Sequence, residues 1–150
     1  MKLLQEKNLT ISLAESCTGG LVASRLTDIP GASASLISGV VSYSNESKIN
    51  ILKVKEDTIR KYGAVSPQTA EEMAVGAKRL SNTDIGLSIT GIAGPDGGSA
   101  EKPVGLCYIG IAAGNSVNVQ KIMLTGNRNR IRWSSSSRAL DFLRRELLSG

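Results

Sequence analysis

The stretch LAESCTGG, Leu13–Gly20, sets Ser16, Cys17 and Thr18 side by side ahead of a glycine pair. The apolar run before it (LTISL, Leu9–Leu13) reads as a strand, and Thr18–Thr27 reads as a helix closed by the turn signal DIPGA. A strand-to-helix turn offers two uses for these side chains. Ser16 or Thr18 can cap the helix. Alternatively, a nucleophile sits beside main-chain N–H groups able to hold an anion or an oxyanion, with Gly19 and Gly20 allowing close approach of a ligand. The chain has no histidine, so the commonest base for such a nucleophile is missing.

Three further segments carry chemistry. In VVSYSNESK, Tyr43 ends a strand and Lys48 falls in the next helix. A lysine held partly dry loses affinity for its proton and can act as a base, with a tyrosine hydroxyl relaying the proton. The alternative is a surface lysine and a half-buried tyrosine. Next, TGIAGPDGG (Thr90–Gly98) follows an alternating strand, Asp84–Ile89, and packs four glycines, a proline and an aspartate into one loop. Such a loop can line a pocket with its N–H groups, or be a plain connection. Ligands of open α/β sheets bind at strand C-terminal ends, where this loop and ESCTGG both fall. Last, TGNRNRIR (Thr125–Arg132) places Arg128 and Arg132 at i and i+4 on one helix face, a spacing that suits a phosphate or an ordinary solvated face.

The elements that must position these groups follow from periodicity. Val40–Tyr43 reads as a strand, Asn45–Leu52 and Glu56–Tyr62 as short helices. VSPQTAEEMAVGAKRL reads as a helix capped by Ser66 with Pro67 at its first position, and Ala70, Met73, Ala74, Ala77 and Leu80 form its core stripe. Val104–Ala113 and Val117–Leu124 read as a hairpin, with a bulge between Val119 and Ile122. Arg128–Leu148 reads as a helix burying Leu140, Leu143 and Leu147, interrupted in propensity by Ser134–Ser137. Strands interleaved with helices give an α/β fold: a three-layer α/β/α sandwich around a mixed, largely parallel sheet in a single domain.

Composition narrows the classes. The 150 residues include 41% hydrophobic but only 3% aromatic side chains, so the core is aliphatic. No run of 18 apolar residues implies a membrane span, and the N-terminus lacks an export signal. Cys17 and Cys107 are the only cysteines, which suits a reducing cytoplasmic setting and leaves no nitrogen–sulfur zinc site. No G-x-G-x-x-G follows a strand and no Gly-Lys-Ser/Thr follows the glycine loop, against a dinucleotide fold and a Walker A loop. The net charge of +5 is local: from Lys121 on there are seven Lys/Arg against two acids, while the first 120 residues balance. That surplus fits an anionic partner or a solvated helix. The shortage of aromatics counts against single-strand nucleic-acid stacking.

In this order, AESCTGG, GVVSYSNESK, GAVSPQTAEEMA, SITGIAGPDGGSAEKPVG and GNRNRIR resemble the C-terminal domain of the competence/damage-inducible CinA family, the nicotinamide-nucleotide amidohydrolases, over about Leu9–Leu147. Two departures show: a short helix before the first strand, and Asn127 where an acidic residue is common. The resemblance implies hydrolysis of nicotinamide mononucleotide to nicotinate mononucleotide and ammonia, with Ser16 as nucleophile, Lys48 as base and Tyr43 assisting. It implies that Cys17, Thr18, Gly19, Thr90, Gly91, Gly97 and Gly98 line the nucleotide pocket and that Arg128 and Arg132 meet its phosphate. It implies no metal or organic cofactor, and a homo-oligomer, dimer or larger. Cys17 is the rival nucleophile, since helix N-termini favour thiolates. A basic nucleic-acid-binding module and a catalytically silent partner-binding domain are the alternative readings.

Overall fold

The structure, a computed structural model, describes residues 1–149. Five strands, β1 (Ile11–Glu15), β2 (Leu36–Val41), β3 (Ile85–Gly91), β4 (Leu106–Ala113) and β5 (Ser116–Met123), form one sheet in the order β2-β1-β3-β4-β5. β1 runs parallel to β2 and to β3; β3/β4 and β4/β5 are antiparallel. The sheet is therefore mixed, with two pairings of each kind. The parallel half reflects the helical crossovers between β1, β2 and β3; the antiparallel half reflects the long loop and the hairpin turn that bring β4 and β5 straight back.

Six helices cover its two faces: α1 (Lys2–Glu6), α2 (Leu21–Thr27), α3 (Asn45–Asn50), α4 (Glu56–Tyr62), α5 (Pro67–Ser81) and α6 (Arg128–Ser149). Alternate residues of β1 divide the core, as the two-residue period of a strand requires. Leu13 packs with Val22, Leu26, Phe142 and Leu143 under α2 and α6. Ala14 packs with Leu52, Val54, Met73 and Ala77 under α5. The result is one domain of three layers. Gly86 lets α5 sit close on β3: a Cβ there would lie 2.0 Å from the Ala74 carbonyl oxygen.

Several elements differ from the sequence reading. α2 starts at Leu21, not Thr18, because residues 16–20 form a tight turn with positive φ at Gly19 and Gly20. β2 begins at Leu36, earlier than Val40. Leu80, expected in the α5 stripe, is 53% exposed. It lies in the last turn before the left-handed Asn82 that ends the helix, where Ser81 rather than Leu80 faces the sheet and shares a hydrogen bond with Ser38 of β2. The β4/β5 ladder is regular from Ala113↔Ser116 to Leu106↔Met123, with no bulge at Val119–Ile122; β5 is an edge strand whose outer face is free to carry polar residues out of strict alternation. The register shift lies instead between Ile11 and Ser12 in the β1/β2 pairing. Ser135, Ser136 and Ser137 do not interrupt α6, because their hydroxyls donate to the Arg132 and Trp133 carbonyls one turn back.

Candidate active site

The parallel strands bring three carboxyl-terminal ends together, and the sequence-selected groups gather there. Main-chain pairing carries β1 past its end: the Ser16 N–H donates to the Ile89 carbonyl at 3.0 Å. Beside it, the Ser42 N–H donates to the Glu15 carbonyl at 2.8 Å, which fixes where β2 hands over to α3. The Ser44 hydroxyl caps α3 by accepting from the Ser47 N–H. One turn in, Lys48 points back under the loop and is 1% exposed.

The lysine amine meets the serine. Lys48 Nζ donates to Ser16 Oγ at 3.1 Å, to the Ser42 carbonyl at 2.7 Å and to the Tyr43 carbonyl at 3.3 Å. Three donated bonds describe the protonated amine. Burial lowers its pKa from the usual 10.5 to about 8, with the neighbouring Cys17 sulfur opposing the shift. Once neutral, the amine keeps two N–H bonds for the carbonyls and turns its lone pair to the Ser16 hydroxyl, so loss of one proton reverses the Ser16–Lys48 bond. That reversal is what a general base requires.

Tyr43 reaches the cluster by its carbonyl only. Its side chain is 59% exposed, and its hydroxyl accepts from Arg128 Nη2 at 2.8 Å. The direct Ser16–Lys48 path is the one the geometry supplies for the proton. Arg128 Nη1 donates to the Gly94 carbonyl at 2.8 Å, so this one guanidinium ties Tyr43 to the glycine loop across the cleft. Arg132 Nη2 donates to the Thr18 carbonyl at 2.9 Å and lies over Gly19, where a Cβ would stand 3.4 Å from it. Among the described residues neither arginine has a carboxylate partner. Two cations at one cleft, bonded only to neutral oxygens, can accept an anion without breaking an ion pair.

The glycine loop contributes less directly than its composition implies. Thr90 is buried and its hydroxyl donates to the Ala64 carbonyl at 2.7 Å. Gly91 is small because Cys107 lies over it. Gly97 and Gly98 are exposed in the outer loop. The Gly19 N–H is spent on the Ser16 carbonyl at 3.0 Å, whereas the Thr18 N–H has no acceptor among the described residues. Thr18 Oγ1 and Ser42 Oγ, both wholly buried, also lack partners there.

Cys17 is placed poorly for attack. Its thiol lies in the core near Cys107; the interaction with that thiol first, then burial and the Cys107 charge, push its pKa well up. The helix N-terminus that would have favoured a thiolate is already occupied. Glu15, 2% exposed, accepts from the Gly20, Val22 and Ala23 N–H groups at 3.1, 3.0 and 2.8 Å. Among the described residues no three metal-ligating side chains converge. A cavity of about 600 Å³ lies at the other end of the sheet between Lys7, Asp84, Gly114 and Leu147, and shares no residue with the Ser16–Lys48 cluster.

Comparison with known proteins decides the family. The model of the CinA C-terminal domain family matches residues 1–147. The chain belongs to the CinA C-terminal domain family. A putative competence-damage inducible protein of Thermoanaerobacter sp. (strain X514) is 55% identical over 148 residues, 99% of this chain and 36% of that protein. One from Clostridium novyi (strain NT) is 54% identical over 147 residues, 98% of this chain and again 36% of that protein. The chain thus spans about a third of the length of these curated relatives. A crystal structure of a CinA superfamily protein from Klebsiella pneumoniae 700603 superposes with a TM-score of 0.96 at 30% identity, covering 99% of this chain and 93% of that one. The competence/damage inducible protein of Agrobacterium tumefaciens gives 0.89 at 45% identity, covering 93% and 86%. The mixed five-stranded sheet flanked by helices is thus the CinA superfamily fold. No described helix is long and apolar enough to cross a membrane.

Two residues of this CinA-family site escaped the sequence reading. Ser42 serves through its carbonyl, which no residue type announces. Glu15 falls after the strand read from the sequence, Leu9–Leu13, but is the last residue of β1; only the glycine pair after it signalled a turn tight enough for its carboxylate to reach the following helix.

Proposed function

We propose that the chain hydrolyses the carboxamide of nicotinamide mononucleotide, giving nicotinate mononucleotide and ammonia. The observation carrying this reading is the buried Lys48 amine, with its pKa near 8, within hydrogen-bond reach of Ser16 Oγ. Neutral Lys48 takes the Ser16 proton as the oxygen attacks the amide carbon. The oxyanion of the tetrahedral intermediate meets the Thr18 N–H. The C–N bond breaks as Lys48 returns the proton to nitrogen, and ammonia leaves. Water then gives its proton to Lys48 and attacks the ester, and Ser16 departs reprotonated. No histidine is needed, since serine–lysine pairs follow the same logic as the triad. No metal or organic cofactor enters the scheme.

Arg128 and Arg132 select the phosphate, and Tyr43 assists by holding Arg128 over the cleft. Ammonia release is to be measured from the nucleotide, its riboside and free nicotinamide. The reading expects the nucleotide to be preferred; no release from any of the three overturns it in favour of a silent partner-binding domain. Arg128→Ala should raise KM for the nucleotide about 10–100-fold, the worth of one charge-assisted bond of ~1.5–3 kcal/mol. kcat should change little, because the phosphate lies away from the reacting amide. Steady-state kinetics against nucleotide and riboside check this, and the riboside should show no KM change.

A further inference from the structure

The two arginines at the start of α6 stand differently. Arg128 is exposed and spans the cleft mouth between the Tyr43 hydroxyl and the Gly94 carbonyl. Arg132, one turn on, is half-buried, and its Nη2 donates to the Thr18 carbonyl at 2.9 Å. Residues 16–19 form a turn closed by the Gly19 N–H, which donates to the Ser16 carbonyl at 3.0 Å. The Thr18 carbonyl and the Gly19 N–H belong to one peptide unit. Arg132 therefore holds one end of that unit, and the carbonyl of the nucleophile's own residue holds the other. The Leu21 N–H also donates to the Thr18 carbonyl, at 3.3 Å, beyond the usual length of a good N–H···O bond. Inside the turn lies the Thr18 N–H, without an acceptor among the described residues. A guanidinium carries five N–H donors in a rigid fork. Arg132 uses one on Thr18 and has no carboxylate partner among the described residues. Its other donors can meet a phosphate while the first stays on the carbonyl. Arg128 makes no hydrogen bond to residues 16–20.

We propose that Arg132 is a positioning residue through which a bound phosphate dianion braces the turn carrying Ser16 and the Thr18 N–H, so that the phosphate speeds the chemistry as well as anchoring the substrate. The phosphate fixes the guanidinium, the guanidinium fixes the Thr18–Gly19 peptide, and that peptide sets the turn that presents the nucleophile and the oxyanion donor. Binding energy from a part of the substrate that does not react thus improves geometry at the part that does. The role needs the arginine fork. A lysine offers the phosphate a point charge and cannot clamp two oxygens in one plane. Arg128, with no bond to the turn, contributes to binding alone.

The effect on turnover rests on the amidase reading; the bracing of the turn does not. Ammonia release from the riboside is measured with and without inorganic phosphite, a dianion that takes the place of the missing phosphate. In the wild type phosphite should raise kcat/KM for the riboside about 10–100-fold, the order lost when a reacting group is misplaced by about 1 Å. Arg132→Ala should lower kcat for the nucleotide by a similar factor and give a riboside rate that phosphite does not raise. Arg132→Lys, which keeps the charge and a full-length side chain, should do the same and decides the matter if the alanine variant fails to fold by circular dichroism. Arg128→Ala should keep the phosphite response, displaced to higher phosphite concentration. Without any turnover, phosphite should slow amide hydrogen exchange over residues 16–20 in the wild type and leave it unchanged in the Arg132 variants. Arg132 variants that raise KM alone, a phosphite response in them equal to that of the wild type, or wild-type rates and exchange that phosphite does not alter, overturn the proposal. A wild-type chain that releases no ammonia from the nucleotide counts against the amidase reading, while hydrogen exchange still decides the bracing.

Discussion

Lys48→Met is expected to lower kcat/KM for nicotinamide mononucleotide by ~10²–10⁴-fold, the usual worth of a positioned base. The wild-type profile should rise about tenfold per pH unit up to about 8 and level off above it, because the active form is the neutral amine and burial sets its pKa at about 8. At pH 7 about one lysine in ten is neutral by that value. The methionine variant should keep its residual rate but lose this limb. Ser16→Ala should cost as much, and the double variant little more, since the two groups act as one unit. Cys17→Ser should retain most of the rate; loss in Cys17→Ser with retention in Ser16→Ala would reassign the nucleophile. Lys48→Met should stay folded, because a buried charged amine gives way to an apolar chain of similar length. The same shift has a stability signature. The folded pKa lies below the unfolded one, so the unfolded chain holds more protons between about 8 and 10.5. Stability should therefore gain a favourable contribution from Lys48 as pH rises through that window. Methionine at this position removes the contribution, which urea unfolding across the pH range would register.

How much of this was legible in the residues differs from element to element. α5 was legible because its cap, its proline and its apolar stripe agree, and Ser66 does accept the Thr69 N–H. Its one error, Leu80, came from extending the apolar stripe into the last turn, where the polar Ser81 is the residue that meets β2. The meeting of Ser16 with Lys48 could not come from spacing, since 32 residues separate them; it follows from β1 and β2 being parallel neighbours. Only the ordered set of motifs carried that information. Arg128 and Arg132 were paired correctly as one helix face, but the pattern was silent about their partners. Arg128 reaches the Tyr43 hydroxyl 85 residues away, which converts an expected proton relay into a strap over the cleft.

Glu15 explains why the loop holding Ser16 keeps its shape, and its removal is expected to be severely destabilising. α2 lacks an ordinary cap: Gly20 stands at its N-cap with φ of 92° and no side chain. The cap comes instead from five to eight residues back, where the Glu15 carboxylate takes the Gly20, Val22 and Ala23 N–H groups. Those three bonds close residues 16–20 into a ring that presents Ser16 Oγ to Lys48 and leaves the Thr18 N–H free. Glu15→Ala strands three donors, one buried (Val22) and two half-buried (Gly20 and Ala23), at up to ~1–3 kcal/mol for each group left unmet. The net loss should come to ~3–5 kcal/mol after partial hydration, beyond most single substitutions. Glu15→Gln keeps one acceptor oxygen but turns an NH₂ group toward the helix end, so it should lie between. The prediction separates a cap from simple packing by chemical rescue: formate, a small carboxylate, should raise the unfolding midpoint of Glu15→Ala and leave that of the wild type unmoved, because an anion at a vacated helix N-terminus regains the lost bonds. In the same variant kcat should fall further than KM rises, as Ser16 drifts from Lys48 while Arg128 and Arg132 remain on α6. Equal urea midpoints for wild type and Glu15→Ala, or a midpoint that formate does not raise, would remove Glu15 from the positioning of the nucleophile and leave the turn to its two glycines alone.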